Sequence, residues 1–344
     1  MKVSLQLDYA GNPVEAADFV VELEAAGVDR VWVPEAYGFD APTLLGYLAA
    51  RTSRVELATG ILNIFSRTPG ALLQTAAGLD SVSGGRAVLG LGASGPQVIE
   101  GFHGVPYDRP LARTRELVGL LRAGLRREPL VSDGLYRLPL PADHGMGLGK
   151  PLKLLSHPVR SHVPIWVAAL GDKNVALAAE LADGWLPFLF LPERAREVWG
   201  DSLAQGLARR SPDLPPLEIA AGGLVAIGDD VGHVLDRMRP LYALYVGGMG
   251  ARGRNFYFDL ACRYGFEAEA QEIQDLFLAG RREEAAAKVP RAWLEAANLV
   301  GPASYVRERI EAYRAAGVTD LQLGVLPGPR AAAMVSQVKE WAAG

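Results

Sequence analysis

A shortage of cysteine and histidine is the first feature of this sequence. It contains one cysteine, Cys262, and five histidines among 344 residues. A single cysteine excludes an internal disulfide framework, and no cluster of Cys and His has the spacing of metal ligands. We therefore expect no metal centre and a cytoplasmic location, where thiols stay reduced.

The sequence also lacks an excess of either charge and any long apolar run. Its 35 Lys and Arg residues and 39 Asp and Glu residues leave a formal net charge of −4. There is no concentrated basic face for a nucleic-acid backbone, and no apolar stretch approaches the ~18 residues of a membrane-spanning helix. The first residues form an alternating strand pattern rather than a secretion signal. We expect neither nucleic acid nor a membrane as a partner.

What the sequence does contain is a repeated unit of strand followed by helix. Eight strands are predicted at residues 3–8, 30–35, 54–61, 86–92, 164–170, 184–189, 219–227 and 319–325. Short apolar strands joined by helices indicate a parallel sheet, because parallel neighbours need crossover connections. Eight such units predict an α/β fold, a (β/α)₈ TIM-like barrel with insertions, and leave an open doubly wound sheet as the alternative.

The chain is longer than a typical barrel of ~250 residues. The excess lies mainly in two stretches, at about 128–162 and 246–300. We expect residues 1–344 to form a single barrel domain with these two insertions. Both are candidates for shaping a pocket or a subunit contact.

The stretch VLGLGASG, residues 88–95, has the G-x-G-x-x-G spacing of a dinucleotide-binding turn. That turn belongs to the first strand-helix unit of its fold and needs an acidic residue ~20 positions later. Here three units precede it, and the helix-like stretch 110–127 follows without a prompt second strand. A nicotinamide site is therefore disfavoured.

In a barrel the functional site lies where strands end, at the carboxyl face. The predicted second and third strands end at Glu35 and at Thr59-Gly60-Ile61. After the fifth strand comes Gly171-Asp172-Lys173-Asn174, directly before a helix. A glycine at such a start leaves backbone N–H groups free for an anion, although N-capping by Asp172 or Asn174 explains the pattern equally well.

Five stretches carry a resemblance to a known family, at residues 31–61, 78–116, 147–153, 167–187 and 245–256. The second includes LDSVSGGR (79–86) and the highly specific SGPQVIEGFHGVPYDRPLARTRE (94–116). The five stretches resemble the luciferase-like monooxygenase superfamily, and within it the F₄₂₀-dependent oxidoreductases similar to methylenetetrahydromethanopterin reductase. The resemblance implies a TIM-like barrel with a flavin-shaped coenzyme at its carboxyl face.

The resemblance also implies which residues face the coenzyme. The deazaflavin ring is expected near Glu35, Thr59, Gly60, Ile61, Gly92, Ala93, Ser94 and Gly95, and its phosphate near Gly171, Asp172, Lys173 and Asn174. It further implies a cis peptide between Gly60 and Ile61. On this interpretation the glycines of VLGLGASG permit close approach of a ring and do not cradle a pyrophosphate.

Candidate catalytic residues for proton transfer are Glu35, Tyr37 and His103, with Glu100 as a further possibility. For Glu35 the alternative is an ion pair with an arginine such as Arg67. His144 lies in an insertion that is a candidate lid. Arg252 and Arg254 are candidates for clamping an anion. Sugar-phosphate oxidation is disfavoured, because the resemblance implies a histidine at this position in the sugar-phosphate dehydrogenases of the superfamily, and this chain has Ala36.

The resemblance thus implies an F₄₂₀-dependent oxidoreductase that transfers a hydride between the deazaflavin and a small organic substrate, by reduction of C=C, C=N or C=O. The alternatives are an FMN-dependent monooxygenase and a coenzyme-free scaffold of the same fold. A homodimer is also implied. Apolar helix faces around 44–48 and 72–79 are expected to supply its contact.

Overall fold

The computed structural model describes residues 1–8 and 12–344. Eight parallel strands are Lys2–Gln6 (β1), Arg30–Val33 (β2), Glu56–Thr59 (β3), Ala87–Gly92 (β4), Ile165–Ala168 (β5), Gly184–Leu186 (β6), Glu218–Ile227 (β7) and Asp320–Gly324 (β8). The surrounding helices are Pro13–Ala25 (α1), Ala41–Arg51 (α2), Pro69–Val82 (α3), Pro110–Leu125 (α4), Asp172–Leu181 (α5), Pro192–Leu207 (α6), Ala303–Ala315 (α7) and Ala331–Ala343 (α8).

The eight strands close into a barrel. β1 pairs with both β2 and β8, β8 pairs with β7, and the series continues from β2 through β3, β4 and β5 to β6. Closure comes from the pairing of β6 with β7, where Glu218 is in register with Gly184. The predicted (β/α)₈ barrel is confirmed, and the open-sheet alternative is wrong.

The starts of the first three helices are specified locally. Asn12, Asp40 and Thr68 each accept a hydrogen bond from a backbone amide of the first turn, and each is followed by proline at the first or second helical position. Such residues satisfy amides that have no partner within the helix, and proline there loses no hydrogen bond. At the other end of α1, Gly27 has φ +102°, a left-handed conformation that glycine adopts freely.

The two insertion segments contain elements of their own. Residues Ser132–Asp133 and Arg137–Leu138 form a small antiparallel hairpin, and Ala142–His144 form a short 3₁₀ turn. The second segment holds helices Phe256–Arg263, Glu267–Leu278, Arg282–Ala287 and Arg291–Ala296, followed by a short strand, Leu299–Gly301, that pairs with β7. The organisation of residues 1–344 as one domain with insertions stays a prediction.

The sequence pattern predicts that the helix after β7 spans residues 231–245. The structure differs from this prediction. The structure has a 3₁₀ segment, Gly232–Met238, and a helix, Arg239–Gly248, that packs on helices of the second insertion. The helix that packs beside both α6 and α8 is Ala303–Ala315. Amphipathic periodicity identifies a helix but not the neighbour that covers its apolar face.

Side chains that point into the barrel form layers. At the amino ends of the strands, Arg30 is fully surrounded and donates to Asp320 (2.6 Å) and Glu56 (2.7 Å). Above it Trp32 and Trp166 meet edge to face at 5.2 Å, and the Trp32 indole N–H donates to Ser4 (3.1 Å). These two layers fill the lower barrel, so open space exists only nearer the carboxyl ends.

Several leucines of the helix faces expected to form a dimer contact are buried, whereas Leu44 is partly exposed and Tyr47 is exposed. Leu45, Leu48 and Leu72 are completely buried within the chain, and Leu73 and Leu79 nearly so. These leucines pack α2 and α3 against the barrel, and a dimer contact made by these helices stays a prediction. Within the described ranges, no helix combines the length and apolar character needed to cross a membrane.

Candidate active site

A change in burial marks the floor of a pocket inside the carboxyl end of the barrel. Inward-pointing residues of the tryptophan layer are buried, whereas those one step further along their strands are partly exposed. Outward-pointing neighbours such as Leu5, Leu7, Leu321 and Leu323 remain buried. The partly exposed set, here called the pocket floor, comprises Gln6, Ile61, Ala168, Gly222 and Gln322.

Two glutamines give the pocket floor its polar groups. The Gln322 amide donates to the Gln6 side-chain oxygen (2.8 Å), and the Gln6 amide donates more weakly to the Leu7 carbonyl (3.3 Å). This pair was not among the site residues predicted from the sequence. A signal was present, since glutamine stands between two leucines in both β1 (SLQL) and β8 (DLQLG), at inward positions of neighbouring strands.

One side of the floor is a bulge after β3. The Gly60–Ile61 peptide is cis, and residues Leu62–Asn63 continue beyond it as a short strand beside β4. Thr59 is completely buried, and its hydroxyl bonds both the amide and the carbonyl of Gly90 (2.8 Å each). Thr59 therefore supports the bulge from behind and presents no atom to the pocket.

The glycines of β4 make room for this bulge. A Cβ on Gly90 would lie 2.0 Å from the Thr59 carbonyl oxygen, and one on Gly92 would lie 2.8 Å from Ile61 Cδ1. From the sequence we expected these glycines to allow the close approach of a ring. In the structure, Thr59 and Ile61 of the chain itself approach them closely. Gly92 is buried, and Ala93, Ser94 and Gly95 lead from it toward the surface.

Glu35 is held in an ion pair at the end of β2. Its two oxygens each accept a 2.7 Å hydrogen bond from Arg67, and one also accepts the Ala41 amide (3.1 Å). Arg67 reaches Asp40 as well (2.6 Å), and the hydrogen bonds to Glu35 raise the pKa of the guanidinium above its ordinary value. Burial alone would raise the pKa of Asp40, but bonds from Thr43 and Arg67 outweigh it and lower that pKa. The sequence left two interpretations of Glu35 open, proton transfer or an ion pair with Arg67, and the structure contains the ion pair.

His103 is oriented by Asn63. The Asn63 side-chain oxygen accepts the amides of Phe65 (3.1 Å) and Ser66 (2.7 Å), so its NH₂ group faces His103 Nε2 at 3.2 Å. Because an amide NH₂ can only donate, Nε2 accepts and the proton of the neutral ring is assigned to Nδ1. This bond fixes both the tautomer and the ring plane.

Glu35, Arg67 and His103 line one cleft of about 270 Å³, together with Ala36, Gly38, Asp40, Ser66 and Phe102. Tyr37 lies beside it, 59% exposed, with its ring 6.4 Å from that of Phe102. Ala36 and Ser94 have positive φ (44° and 57°) in the loops after β2 and β4. Non-glycine residues rarely adopt this conformation, and such residues cluster at functional sites.

Replacing Asn63 with aspartate is expected to move the His103 ring proton from Nδ1 to Nε2. The variant keeps an acceptor for the two backbone amides but presents oxygen, not NH₂, to Nε2. Long-range ¹H–¹⁵N spectra of ¹⁵N-histidine-labelled protein, recorded at alkaline pH with His103→Gln to assign the signal, measure the tautomer. Asn12→Asp, at a remote helix cap, should leave it unchanged. A wild-type ring protonated at Nε2 would contradict the assignment.

The start of α5 is an open helix terminus. Gly171 is its N-cap and no side chain caps it, while the amides of Asn174 and Val175 bond the Gly171 carbonyl. Neither Asp172 nor Asn174 is therefore a capping residue, and Asp172 pairs with Arg263 (2.9 Å) instead. In the part of the chain that is described, the exposed Lys173 has no ion-pair partner.

Other candidates from the sequence lie outside this cleft. Glu100 accepts the Tyr107 amide (3.1 Å), and the Tyr107 hydroxyl donates to the Ser94 carbonyl (3.2 Å), so both shape the loop after β4. Arg252 pairs with Asp275 on the second insertion (2.6 Å). His144 and Arg254 are exposed.

A sequence model for luciferase-like monooxygenases matches residues 1–320. The chain belongs to this family. The resemblance stated from the five sequence stretches is thereby confirmed.

Relatives within the luciferase-like monooxygenase family cover nearly the whole chain. Rv3520c of Mycobacterium tuberculosis, whose name assigns it to coenzyme F₄₂₀-dependent oxidoreductases, is 44% identical over 326 residues, 93% of each chain. A 5,10-methylenetetrahydromethanopterin reductase of Archaeoglobus fulgidus is 26% identical over 91% of this chain and 90% of its own. The F₄₂₀-dependent tetrahydromethanopterin reductase structure from Methanopyrus kandleri superposes with a TM-score of 0.82 at 22% identity, covering 99% of this chain and 98% of that one. That last likeness supports the fold.

Proposed function

We propose that this chain is an F₄₂₀-dependent oxidoreductase that reduces a C=C, C=N or C=O bond of a small organic substrate. The observation that carries the proposal is the 44% identity to Rv3520c over 93% of both chains, combined with a pocket that suits a flat ring. A cytoplasmic location and a homodimer belong to the same proposal.

The residues present fit a deazaflavin with a phosphate-bearing side chain. The bulge at Ile61 and the small residue Ala168 give the pocket an apolar wall and floor, and the Gln6–Gln322 pair offers neutral hydrogen-bonding groups. At α5 the uncapped amides after Gly171 and the side chain of Lys173 would hold a phosphate, because helix N-termini attract anions. When bound in its reduced form, the deazaflavin supplies a hydride.

The proton that accompanies hydride transfer then comes from solvent water, and the chain orients the group that receives it. His103 is the best group in the cleft for that role, because its Nδ1–H is not used in the bond to Asn63 and can donate a hydrogen bond to the atom that gains negative charge. Glu35 is a poorer donor, since both its oxygens accept hydrogen bonds from Arg67. We assign Glu35 the role of holding Arg67 and the start of α2 in place, and Tyr37 a place at the entrance.

The proposal is tested by titrating the protein with F₄₂₀ and, separately, with FMN while following tryptophan fluorescence. Trp32 and Trp166 lie directly below the pocket floor and should be quenched. We expect saturable F₄₂₀ binding, and Lys173→Glu should raise its Kd about tenfold, equivalent to about 1.4 kcal/mol. Lys153→Glu, an exposed control on the first insertion, should not.

Tight FMN binding without a response to F₄₂₀ would replace this proposal with the FMN-dependent monooxygenase. No response to either molecule would favour a coenzyme-free protein. An F₄₂₀ affinity that is unchanged by Lys173→Glu would remove the α5 terminus from the phosphate site.

A further inference from the structure

Exposed aromatic side chains concentrate around the carboxyl mouth of the barrel. Tyr37, Phe39, Phe102 and Phe256, here called the aromatic rim, are 59%, 71%, 64% and 63% exposed. Single exposed apolar residues are ordinary, but several grouped beside a cleft mark a binding surface.

The rim residues come from different parts of the chain and meet at this face. Tyr37 and Phe39 follow β2, and Phe102 follows β4 and approaches Tyr37. If Gly171 had a Cβ, that atom would lie 3.2 Å from the Phe256 ring. Phe256 is therefore located just beyond the end of β5. The rim therefore borders the mouth on more than one side.

The first insertion brings further apolar side chains toward the same face. The Tyr136 hydroxyl donates to the Ile64 carbonyl (3.3 Å), just beyond the bulge at Ile61. The chain then folds into a loop at 139–149, where Met146 and Leu148 are 88% and 83% exposed. Tyr136, Met146 and Leu148 are uncharged, and within the loop at 139–149 the charged group is the exposed carboxylate of Asp143.

Among the described residues that line the cleft beside the rim, no cation is left over for an anionic substrate. Its two carboxylates, Glu35 and Asp40, share the single guanidinium of Arg67. Two negative charges against one positive leave this side of the mouth with an excess of one negative charge, which repels anions. Lys173 lies at α5, where we place the phosphate of the coenzyme.

The polar groups deeper in the pocket are neutral. Once the Gln322 amide donates to Gln6, the Gln322 side-chain oxygen and a second N–H remain. Both glutamines are half-buried, so a ligand that reaches them gains most by offering a hydrogen-bonding group of its own. Ile61 and Ala168 line the rest of the floor.

We infer that the site accepts neutral, largely apolar organic molecules that carry a hydrogen-bonding group such as a carbonyl, and discriminates against anions. The aromatic rim receives the apolar body, and the polar group faces the His103 Nδ1–H in the cleft, above the Gln6–Gln322 floor that we assign to the deazaflavin. This inference rests on the proposed function, of which it specifies the substrate class.

The test uses prodan, a neutral naphthyl ketone whose emission shifts to the blue in apolar surroundings, with the full-length protein and no coenzyme. We expect saturable binding with a blue shift, and at least tenfold weaker binding of anilinonaphthalene sulfonate, an anion of similar size. Phe39→Ser with Phe102→Ser should raise the Kd of prodan about tenfold. Val82→Ser with Leu278→Ser, which removes two exposed apolar side chains elsewhere, is the matched control.

Three results would overturn the inference. The sulfonate could bind as tightly as prodan, or the two phenylalanine substitutions could leave prodan binding unchanged. They could also change the oligomeric state in size-exclusion chromatography without affecting prodan, which would mean that a second copy covers the rim. The F₄₂₀ titration is independent of these measurements, so failure of the proposed coenzyme and failure of the substrate class give different results.

Discussion

Replacing Arg30 with methionine is expected to lower the free energy of unfolding by about 3–5 kcal/mol at pH 7. Arg30 is 2% exposed and its partner Asp320 is completely buried. Without the guanidinium, Asp320 becomes a buried charge with no counter-ion, whereas Glu56 and Glu218 are about one-third exposed and can be hydrated. Chemical denaturation followed by tryptophan fluorescence measures the loss.

The effect of this substitution should depend on pH in a defined direction. Burial already raises the pKa of Asp320, and the charge of Arg30 opposes that rise. Removing Arg30 raises the pKa further, so the folded state binds the Asp320 proton at a higher pH than the unfolded chain does. Acidification then favours folding at this site. The difference in the free energy of unfolding between wild type and Arg30→Met should therefore become smaller as the pH falls from 7 toward 5.

Two further variants control this experiment. Arg30→Met with Asp320→Leu removes both charges and should recover most of the lost stability, since an apolar pair can replace a buried ion pair. Arg51→Met removes an exposed pair with Asp18 and should have little effect. If the double variant is no more stable than Arg30→Met alone, the unpaired Asp320 is not the cause of the loss.

Replacing Gly90 with alanine is expected to cost about 3 kcal/mol or more and to weaken coenzyme binding. The new Cβ would lie 2.0 Å from the Thr59 carbonyl oxygen, which is backbone and cannot rotate away. β3 would have to shift relative to β4, and with it Ile61 in the pocket floor. Thermal unfolding and the F₄₂₀ titration together measure both effects.

Two other glycines separate steric conflict from a general effect of alanine. In Gly92→Ala the Cβ meets the Ile61 side-chain end at 2.8 Å, which can move, so we expect a loss of only about 1 kcal/mol. Gly119→Ala lies in α4 with nothing within 4 Å, and should stabilise the protein by about 0.5–1 kcal/mol, because alanine favours helix. Equal effects at Gly90 and Gly92 would show that the backbone contact is not decisive.

The barrel was predictable because its evidence is local. Each strand-helix unit carries its own apolar periodicity, and the count of eight follows from repetition. The helix at 303–315 was missed because its neighbours in sequence belong to the second insertion, and periodicity does not tell which surface a helix covers. Likewise, the leucines around 44–48 have the pattern of a contact face, but their burial against the barrel is a tertiary property.

The candidate site was only partly predictable. The loops at Glu35 and Gly171 could be located because carboxyl ends of parallel strands meet at one face. The bond from Asn63 that sets the His103 tautomer joins residues 40 positions apart, and no local pattern indicates it. Gln6 and Gln322 are separated by 316 positions and become neighbours only when β1 pairs with β8.

The packed lower half of the barrel has a kinetic consequence. Arg30 and its acidic partners, together with Trp32 and Trp166 above them, leave no passage toward the amino ends of the strands. Any molecule that contacts Gln6 must therefore enter and leave through the carboxyl mouth of the barrel. Two ligands that occupy this pocket together therefore bind and dissociate in a fixed order. The ligand that lies deeper has to bind first and dissociate last.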